Sequence, residues 1–166
     1  MLIEARAVLI DEENVDTDVL YPGPFLNIDD PELMRPHLFE GLDPTLRDRL
    51  GGDTVLMVGA NFGTGSSREH VPQAMKASGV RCVVGRSFAR IFYRNCINLG
   101  LPAVVCPAGV EASRADSAVR LDLSAGTVEV DGAAFPFAPF PEALRDTLEL
   151  GGLIESARRR ASLRSP

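Results

Sequence analysis

The sequence is poor in lysine, in cysteine and in long apolar runs. Lys76 is the only lysine among 17 basic residues, and 23 acidic residues bring the net charge to −6. Phosphate contacts need clustered basic side chains, so this charge argues against nucleic acid as a partner. No apolar run approaches the roughly 18 residues of a membrane span, and we expect no membrane association.

The three cysteines, Cys82, Cys96 and Cys106, are irregularly spaced and form no C-x-x-C pair. A self-contained zinc or iron–sulfur site is therefore not expected, because such sites need closely spaced thiolate ligands. We predict buried, reduced thiols instead.

Length and composition are typical of one globular domain. The chain has 166 residues, of which 45% are hydrophobic and 24% are charged. A chain of this size buries enough surface to fold without disulfides, and we expect residues 1–166 to form a single domain. The first residues are acidic where a secretion signal would be basic, so a cytoplasmic location is expected.

Three apolar segments separated by helical patterns dominate the middle of the chain. Strands are predicted at 1–10, 54–58, 80–85 and 101–106, and helices at 66–79 and 88–100, the second capped by Ser87. A strand–helix–strand order over so few residues implies right-handed crossovers and a parallel sheet.

The remaining segments carry weaker signals. They predict a short helix at 31–40 capped by Asp30, a turn beginning at Asp43, hairpin strands within 121–135, and two helices separated by Gly151 and Gly152. A basic tail follows, for which we expect a solvated, frayed end: Arg158, Arg159, Arg160 and Arg164.

The loop G-A-N-F-G-T-G-S-S-R-E-H, residues 59–70, is the main candidate site. It matches no Walker loop, dinucleotide-binding loop or nucleophile elbow. The loop precedes the predicted helix, so its backbone N–H groups would lie at the helix N-terminus and attract an anion. The alternative is a purely structural glycine-rich turn. Arg68 opposes the helix dipole there, which suggests a carboxylate or phosphate ligand. Ser66 and His70 would share a helical face, but we favour a packing role for His70 over that of a base.

Two further motifs remain open. The segment from Asn14 to Asp18, N-V-D-T-D, could bind calcium or magnesium, or could simply form a turn or helix cap. Arg90 and Arg94 lie one helical turn apart, and we favour solvated side chains over a binding pair.

Together these motifs resemble the swivelling domain of the aconitase superfamily, and in particular its free-standing small subunits in the isopropylmalate dehydratases and homoaconitases. The likeness covers nearly the whole chain. The segments that carry it are N-V-D-T-D at 14–18, P-G-P-F-L at 22–26, N-F-G-T-G-S-S-R-E-H at 61–70, S-F-A-R-I-F-Y-R-N at 87–95 and G-G-L-I at 151–154. The resemblance implies an α/β fold, a three-layer β/β/α swivelling domain with a parallel-rich central sheet.

The resemblance also implies a function. Members of the family are hydro-lyases that dehydrate a hydroxy-dicarboxylic acid and rehydrate it on the adjacent carbon. By the family pattern Ser66 is the catalytic base, Ser67 and Arg68 bind a substrate carboxylate, and Asp18 orients groups nearby. The Lewis acid is a [4Fe-4S] cluster held by a partner, the large subunit, so no cofactor is expected in this chain.

Substrate choice depends on the loop after Pro22. Some family members carry there an arginine that pairs with a distal carboxylate, whereas this chain has Asn27 and Ile28. An uncharged side group is therefore implied, as in 2-isopropylmalate, which is isomerised to 3-isopropylmalate in leucine biosynthesis. The alternatives are a homoaconitate or 2,3-dimethylmalate/citramalate-type dehydratase subunit, and a non-catalytic anion-binding assembly module.

Overall fold

The computed structural model describes residues 1–162 and has an α/β architecture built on one seven-stranded sheet. The strands are β1 (Leu2–Ile10), β2 (Thr54–Val58), β3 (Val80–Gly85), β4 (Ala103–Val105), β5 (Ala118–Asp122), β6 (Thr127–Val130) and β7 (Ala133–Pro136). The helices are α1 (Thr17–Leu20), α2 (Pro31–Met34), α3 (His70–Ala77), α4 (Arg90–Asn98), α5 (Pro107–Ala112), α6 (Glu142–Glu149) and α7 (Leu153–Ser162). Short 3-10 helices cover Gly23–Phe25, Arg35–His37 and Pro44–Arg49.

The sheet has a parallel half and an antiparallel half. Its order is β4-β3-β2-β1-β5-β6-β7, in which β4, β3, β2 and β1 are parallel neighbours and β1, β5, β6 and β7 are antiparallel neighbours. The parallel sheet predicted for the middle of the chain is therefore confirmed, and so are the hairpin strands after it.

The two edge strands of the sheet, β4 and β7, approach one another. The Cys106 thiol, directly after β4, lies 3.8 Å from the carbonyl oxygen of Pro136 at the end of β7. In a flat sheet with about 4.8 Å between strands, six spacings would separate these edges by roughly 29 Å. The sheet therefore curls strongly. This curl gives two β layers on one side of the molecule and a helical layer on the other, which confirms the predicted fold class.

Two apolar cores fill the space between the layers. Leu56 and Val58 of β2 join the core that includes residues of α3 and α4, whereas Val55 and Met57 join the core with β5, β6 and α5. All five residues of β2 are buried. The strand is thus covered on both faces, as its unbroken apolar sequence predicts.

Helix α3 begins later than the sequence predicts. It starts at His70 rather than at Ser66. Its first helical hydrogen bond runs from the Gln73 N–H to the Glu69 carbonyl at 3.2 Å. Pro72 has no N–H with which to close a turn on the Arg68 carbonyl, so the helix cannot extend back to Ser66. The helix ends before Gly79 as predicted.

Helix α4 also begins later than predicted, at Arg90, and Ser87 is not its cap. The Ser87 hydroxyl instead accepts a hydrogen bond from the Asn61 N–H at 2.7 Å. The helix predicted at 31–40 ends as an α-helix at Met34, because Pro36 again removes the next N–H.

Three local predictions stand and one helix was missed. Asp30 caps its helix as predicted, and the turn predicted at Asp43 is a 3-10 helix that Asp43 caps. Each carboxylate accepts a backbone N–H at 2.9 Å. Helix α5, which was not predicted, begins at Pro107, and proline at a first helical position could have signalled it. Gly151 and Gly152 separate α6 from α7 as predicted.

The C-terminal arginines Arg158, Arg159 and Arg160 are exposed, as expected, but lie within α7 rather than in a frayed end. Arg164 lies outside the described residues. Over residues 1–162, no helix has the length and apolar character that a bilayer crossing requires.

Candidate functional site

Three loops meet at the carboxyl edge of the parallel strands. Parallel strands end at the same edge of a sheet, where α/β proteins place their ligand sites. Asn61, after β2, donates its side-chain amide to Asn14 Oδ1 at 2.9 Å, after β1. Its backbone N–H binds Ser87 Oγ, after β3. Asn61 thus joins the loops that follow β1, β2 and β3.

The loop after β2 runs alongside residues 14–17 before it reaches Ser66. The N–H groups of Gly63 and Thr64 both donate to the Val15 carbonyl, and the Thr17 N–H donates to the Thr64 carbonyl at 2.8 Å. These backbone bonds fix the path of the loop up to Ser66.

Two glycines in this loop are required by their backbone conformation and surroundings. Gly63 and Gly65 have φ angles of +82° and +87°. A Cβ atom at Gly63 would overlap the Phe92 ring, and one at Gly65 would overlap the Asp16 carboxylate. Larger residues would both strain the backbone and displace these side chains.

Asp16 is a capping residue in the structure. Its carboxylate accepts the Asp18 N–H at 2.7 Å at the start of α1, so the cap interpretation of this motif is confirmed. Among residues 1–162, no set of three or more His, Cys, Asp and Glu side chains is arranged to hold a metal ion.

Arg68 is a largely buried guanidinium held by two partners. Its side chain is 13% exposed, its Nη1 donates to the Tyr21 carbonyl at 2.7 Å, and its Nη2 lies 2.8 Å from Asp18 Oδ1. Its Nε is buried and has no hydrogen-bond partner in the described chain. A guanidinium has five N–H donors, so donors remain for a carboxylate.

Ser66 and Ser67 are exposed and border a run of unpaired backbone donors. Within residues 1–162, the N–H groups of residues 65–69 donate to no protein acceptor. Ser67 Oγ lies 3.5 Å from the amide of buried Asn95. These unpaired N–H groups therefore lie in the loop, whereas the sequence predicted them at the N-terminus of a helix.

His70 does not share a helical face with Ser66, because α3 begins at His70 itself. Its ring stacks on the Tyr21 ring at 5.5 Å between centroids. His70 thus makes a packing contact, and its role stays a prediction.

The other candidate residues differ in their surroundings. Asn27 is exposed, whereas Ile28 is half-buried against the core on the helical side of the sheet. Arg90 and Arg94 are exposed, in agreement with the solvated interpretation.

The three thiols are buried as predicted. Burial raises the pKa of Cys82, Cys96 and Cys106, which leaves them protonated near neutral pH.

Sequence reasoning missed the residues that support this site. Thr17 and Asn95 lie within the recognised motifs but were given no role. Their polar side chains could have indicated that they form hydrogen bonds at the site. Tyr21 carried no signal, because its contribution to Arg68 is a backbone carbonyl.

Several known proteins of one family are similar to this chain. The model of the Aconitase C-terminal domain family matches residues 42–108. The 3-isopropylmalate dehydratase small subunit of Caldicellulosiruptor bescii is 46% identical over 86% of this chain and 87% of its own length. The 2,3-dimethylmalate dehydratase small subunit of Eubacterium barkeri is 42% identical over 86% of this chain and 88% of its own.

A solved structure, of 3-isopropylmalate dehydratase from Methanocaldococcus jannaschii, superposes with a TM-score of 0.91 at 32% identity and covers 99% of this chain and 98% of that one. Identity at this level over almost the full length of both chains requires a shared fold and descent. The chain therefore belongs to the aconitase family of hydro-lyases, among the small subunits of its dehydratases.

Proposed function

We propose that residues 1–166 act as a single swivelling domain, the small subunit of a two-chain 3-isopropylmalate dehydratase. In this role the chain works with a large subunit in the cytoplasm, in leucine biosynthesis. The complex converts 2-isopropylmalate into 3-isopropylmalate by removing water and adding it back on the neighbouring carbon.

One observation carries this proposal. The exposed Ser66 belongs to a run of unpaired backbone N–H groups that also includes Arg68, whose guanidinium is held in place by Asp18. This arrangement suits a dicarboxylic acid, because one carboxylate can bind the donors while a neighbouring carbon faces the serine.

Ser66 is assigned the base. In dehydration it takes the carbon-bound proton, the freed electron pair forms the C=C bond, and hydroxide leaves from the adjacent carbon. The departing hydroxide takes up a proton and becomes water. In rehydration a water molecule releases that proton again, its hydroxide adds to the other carbon, and Ser66 returns its proton to the carbon that lost the hydroxyl. A serine alkoxide is normally inaccessible, and nearby positive charge and N–H donors would favour it over the neutral hydroxyl.

Ser67, Arg68 and Asp18 are assigned to substrate binding. Arg68 can grip a carboxylate with two N–H groups at once, which fixes orientation as well as charge. Asp18 holds the guanidinium at 2.8 Å and so sets the direction of that grip.

The departure of hydroxide needs a Lewis acid, which in this family is a [4Fe-4S] cluster. The residues of this chain do not fit such a cluster, because the three cysteines are buried and belong to no metal-binding group in the described part of the chain. We therefore assign the cluster to the large subunit, and the chain alone should be inactive.

The side group of the substrate is assigned from Asn27 and Ile28. An uncharged amide and an aliphatic residue favour an uncharged alkyl group over a third carboxylate, which disfavours homoaconitate. The similarity to the Eubacterium barkeri subunit makes 2,3-dimethylmalate the second candidate.

The experiment reconstitutes the chain with a cluster-loaded large subunit and compares kcat/KM on 2-isopropylmalate, 2,3-dimethylmalate and homoaconitate. We expect turnover only in the complex and the highest value on 2-isopropylmalate. Turnover by the isolated chain would contradict the division of labour. A preference for either other acid would contradict the named substrate. A complex that keeps its function with Ser66→Ala but loses it when the loop 59–70 is removed would favour the non-catalytic assembly module.

A further inference from the structure

The segment 22–28 is a tight succession of turns held by the side chain of Tyr21. Leu26 N–H donates to the Gly23 carbonyl at 3.2 Å, and Ile28 N–H donates to the Phe25 carbonyl at 3.1 Å. The Tyr21 hydroxyl donates to that same Phe25 carbonyl at 3.1 Å. Tyr21 therefore supports the oxygen atom that holds the backbone of Ile28.

A second contact holds the same residue from another part of the chain. The Phe25 ring stacks on the His37 ring with centroids 3.7 Å apart and planes 13° from parallel. His37 Nδ1 lies 2.9 Å from Glu40 Oε2, which restrains the imidazole in turn. Phe25 is thus held through its carbonyl by Tyr21 and through its ring by His37.

Tyr21 also contacts Arg68, the residue assigned to bind the substrate carboxylate. Its carbonyl accepts Arg68 Nη1 at 2.7 Å, and its fully buried ring stacks on His70. At the start of the segment, a Cβ atom on Gly23 would come within 3.8 Å of Arg68 Nη2. Arg68 and the segment 22–28 therefore share one rigid support.

We propose that Tyr21 and His37 are positioning residues that determine which side group the enzyme accepts. They do so by holding Asn27 and Ile28 at a fixed distance from Arg68. This inference rests on the proposed function, in which Arg68 binds a carboxylate and the segment 22–28 faces the side group. Neither Tyr21 nor His37 needs to touch the substrate.

Fixed geometry is what makes an apolar contact selective. One methylene in a well-formed pocket changes kcat/KM by roughly 10- to 200-fold. A mobile segment can adjust to either substrate side group. Most of the difference in kcat/KM between the two substrates is then lost.

The test uses the reconstituted complex and measures kcat and KM on 2-isopropylmalate and 2,3-dimethylmalate. Tyr21→Phe removes only the hydroxyl, and His37→Ala removes the stacked ring. We expect each to raise KM for the preferred acid about tenfold and to reduce the ratio of the two kcat/KM values by a similar factor, with a smaller fall in kcat.

Two matched variants serve as controls. His37→Phe keeps an aromatic ring under Phe25 and should retain the ratio to within about twofold. Tyr93→Phe removes the other tyrosine hydroxyl of the chain and should do the same, since Tyr93 lines a groove with Phe137 and Leu144 that includes no residue of this segment. A His37→Phe variant as unselective as His37→Ala would overturn the stacking role.

Hydrogen exchange gives a readout that does not depend on turnover. In the free chain, the Ile28 amide should exchange faster in Tyr21→Phe and His37→Ala, while the amides of β2 keep their protection. Unchanged selectivity in both variants would overturn the inference and leave the proposed function standing. If the wild-type complex prefers 2,3-dimethylmalate, the named substrate is wrong, and the same ratio still decides the inference. If Tyr21→Phe does not fold, the His37 pair decides it.

Discussion

The hydroxyl of Thr17 donates a 2.9 Å hydrogen bond to the carbonyl oxygen of Ser66. Thr17 is buried at 2% exposure in the first turn of α1, where Asp16 caps the helix. The position of Ser66 is therefore set by a residue 49 positions earlier in the chain. The loop alone does not set it.

Thr17→Val should misplace Ser66. Valine keeps the shape of threonine but leaves the Ser66 carbonyl without its partner, at a cost of about 1–3 kcal/mol in the free energy of unfolding. We expect kcat of the complex to fall about tenfold with a smaller change in KM, because the geometry of proton transfer is affected more than binding. Urea unfolding and steady-state kinetics measure the two effects. Thr17→Ser keeps the hydroxyl and should restore kcat, and equal kcat in Thr17→Val and wild type would contradict this role.

Arg68→Lys should weaken substrate binding although it keeps the charge. An ammonium cannot bind Tyr21, Asp18 and a carboxylate in the planar geometry of a guanidinium. We expect KM to rise by roughly 10- to 100-fold. Arg81→Lys is the matched control, because Arg81 forms an exposed ion pair with Asp53 and should leave KM unchanged. A KM equal to that of wild type in Arg68→Lys would show that this guanidinium does not bind the carboxylate.

Gly65→Ala should cost both stability and activity. The backbone at Gly65 lies in the left-handed region, and a methyl group there meets the Asp16 carboxylate. We expect a loss of about 1–3 kcal/mol in unfolding free energy, together with reduced kcat, as Ser66 is displaced. Gly52→Ala is the control, because an added Cβ at Gly52 meets nothing within 4 Å. Equal thermal midpoints for the two variants would contradict the prediction.

Asp131 should contribute a pH-dependent part of the stability. Its carboxylate accepts the Ser117 hydroxyl at 2.7 Å and the Ala118 N–H at 2.8 Å, and these bonds lower its pKa. A lowered folded-state pKa gives stability that is present above the ordinary value near 3.8 and is lost as the pH falls through the folded value.

Asp131→Asn should therefore destabilise the chain most near neutral pH, and the difference from wild type should shrink below pH 4. Asparagine tolerates the positive φ of this turn, so the backbone is retained. Urea midpoints measured from acid to neutral pH test this. A difference that stays constant across the pH range would rule out the ionised carboxylate as its source.

The strands of the parallel half of the sheet could be predicted from the sequence, because each depends on residues that are close together in the chain. The apolar run of β2 and the glycines that follow α3 and α4 determine where those elements lie. The curl that brings Cys106 near Pro136 could not be read in this way, since it depends on contacts between the two edges of the sheet.

At the site, the sequence indicated which residue types gather but not how they are arranged. Ser66 and Arg68 were recognised from a motif, whereas the predicted start of α3 was wrong because Pro72 prevents the helix from extending back to Ser66. The contact between Tyr21 and Arg68 was missed because it is made by a backbone carbonyl, which does not depend on residue identity.

The most direct test of the account is the carbon-bound proton of the substrate. In the reconstituted complex, Ser66→Ala should lower kcat, and the rate at which that proton exchanges with solvent, by roughly a thousandfold at nearly unchanged KM. Ser67→Ala, one residue away, should mainly raise KM. A fall of less than tenfold in both rates for Ser66→Ala would show that another group removes the proton.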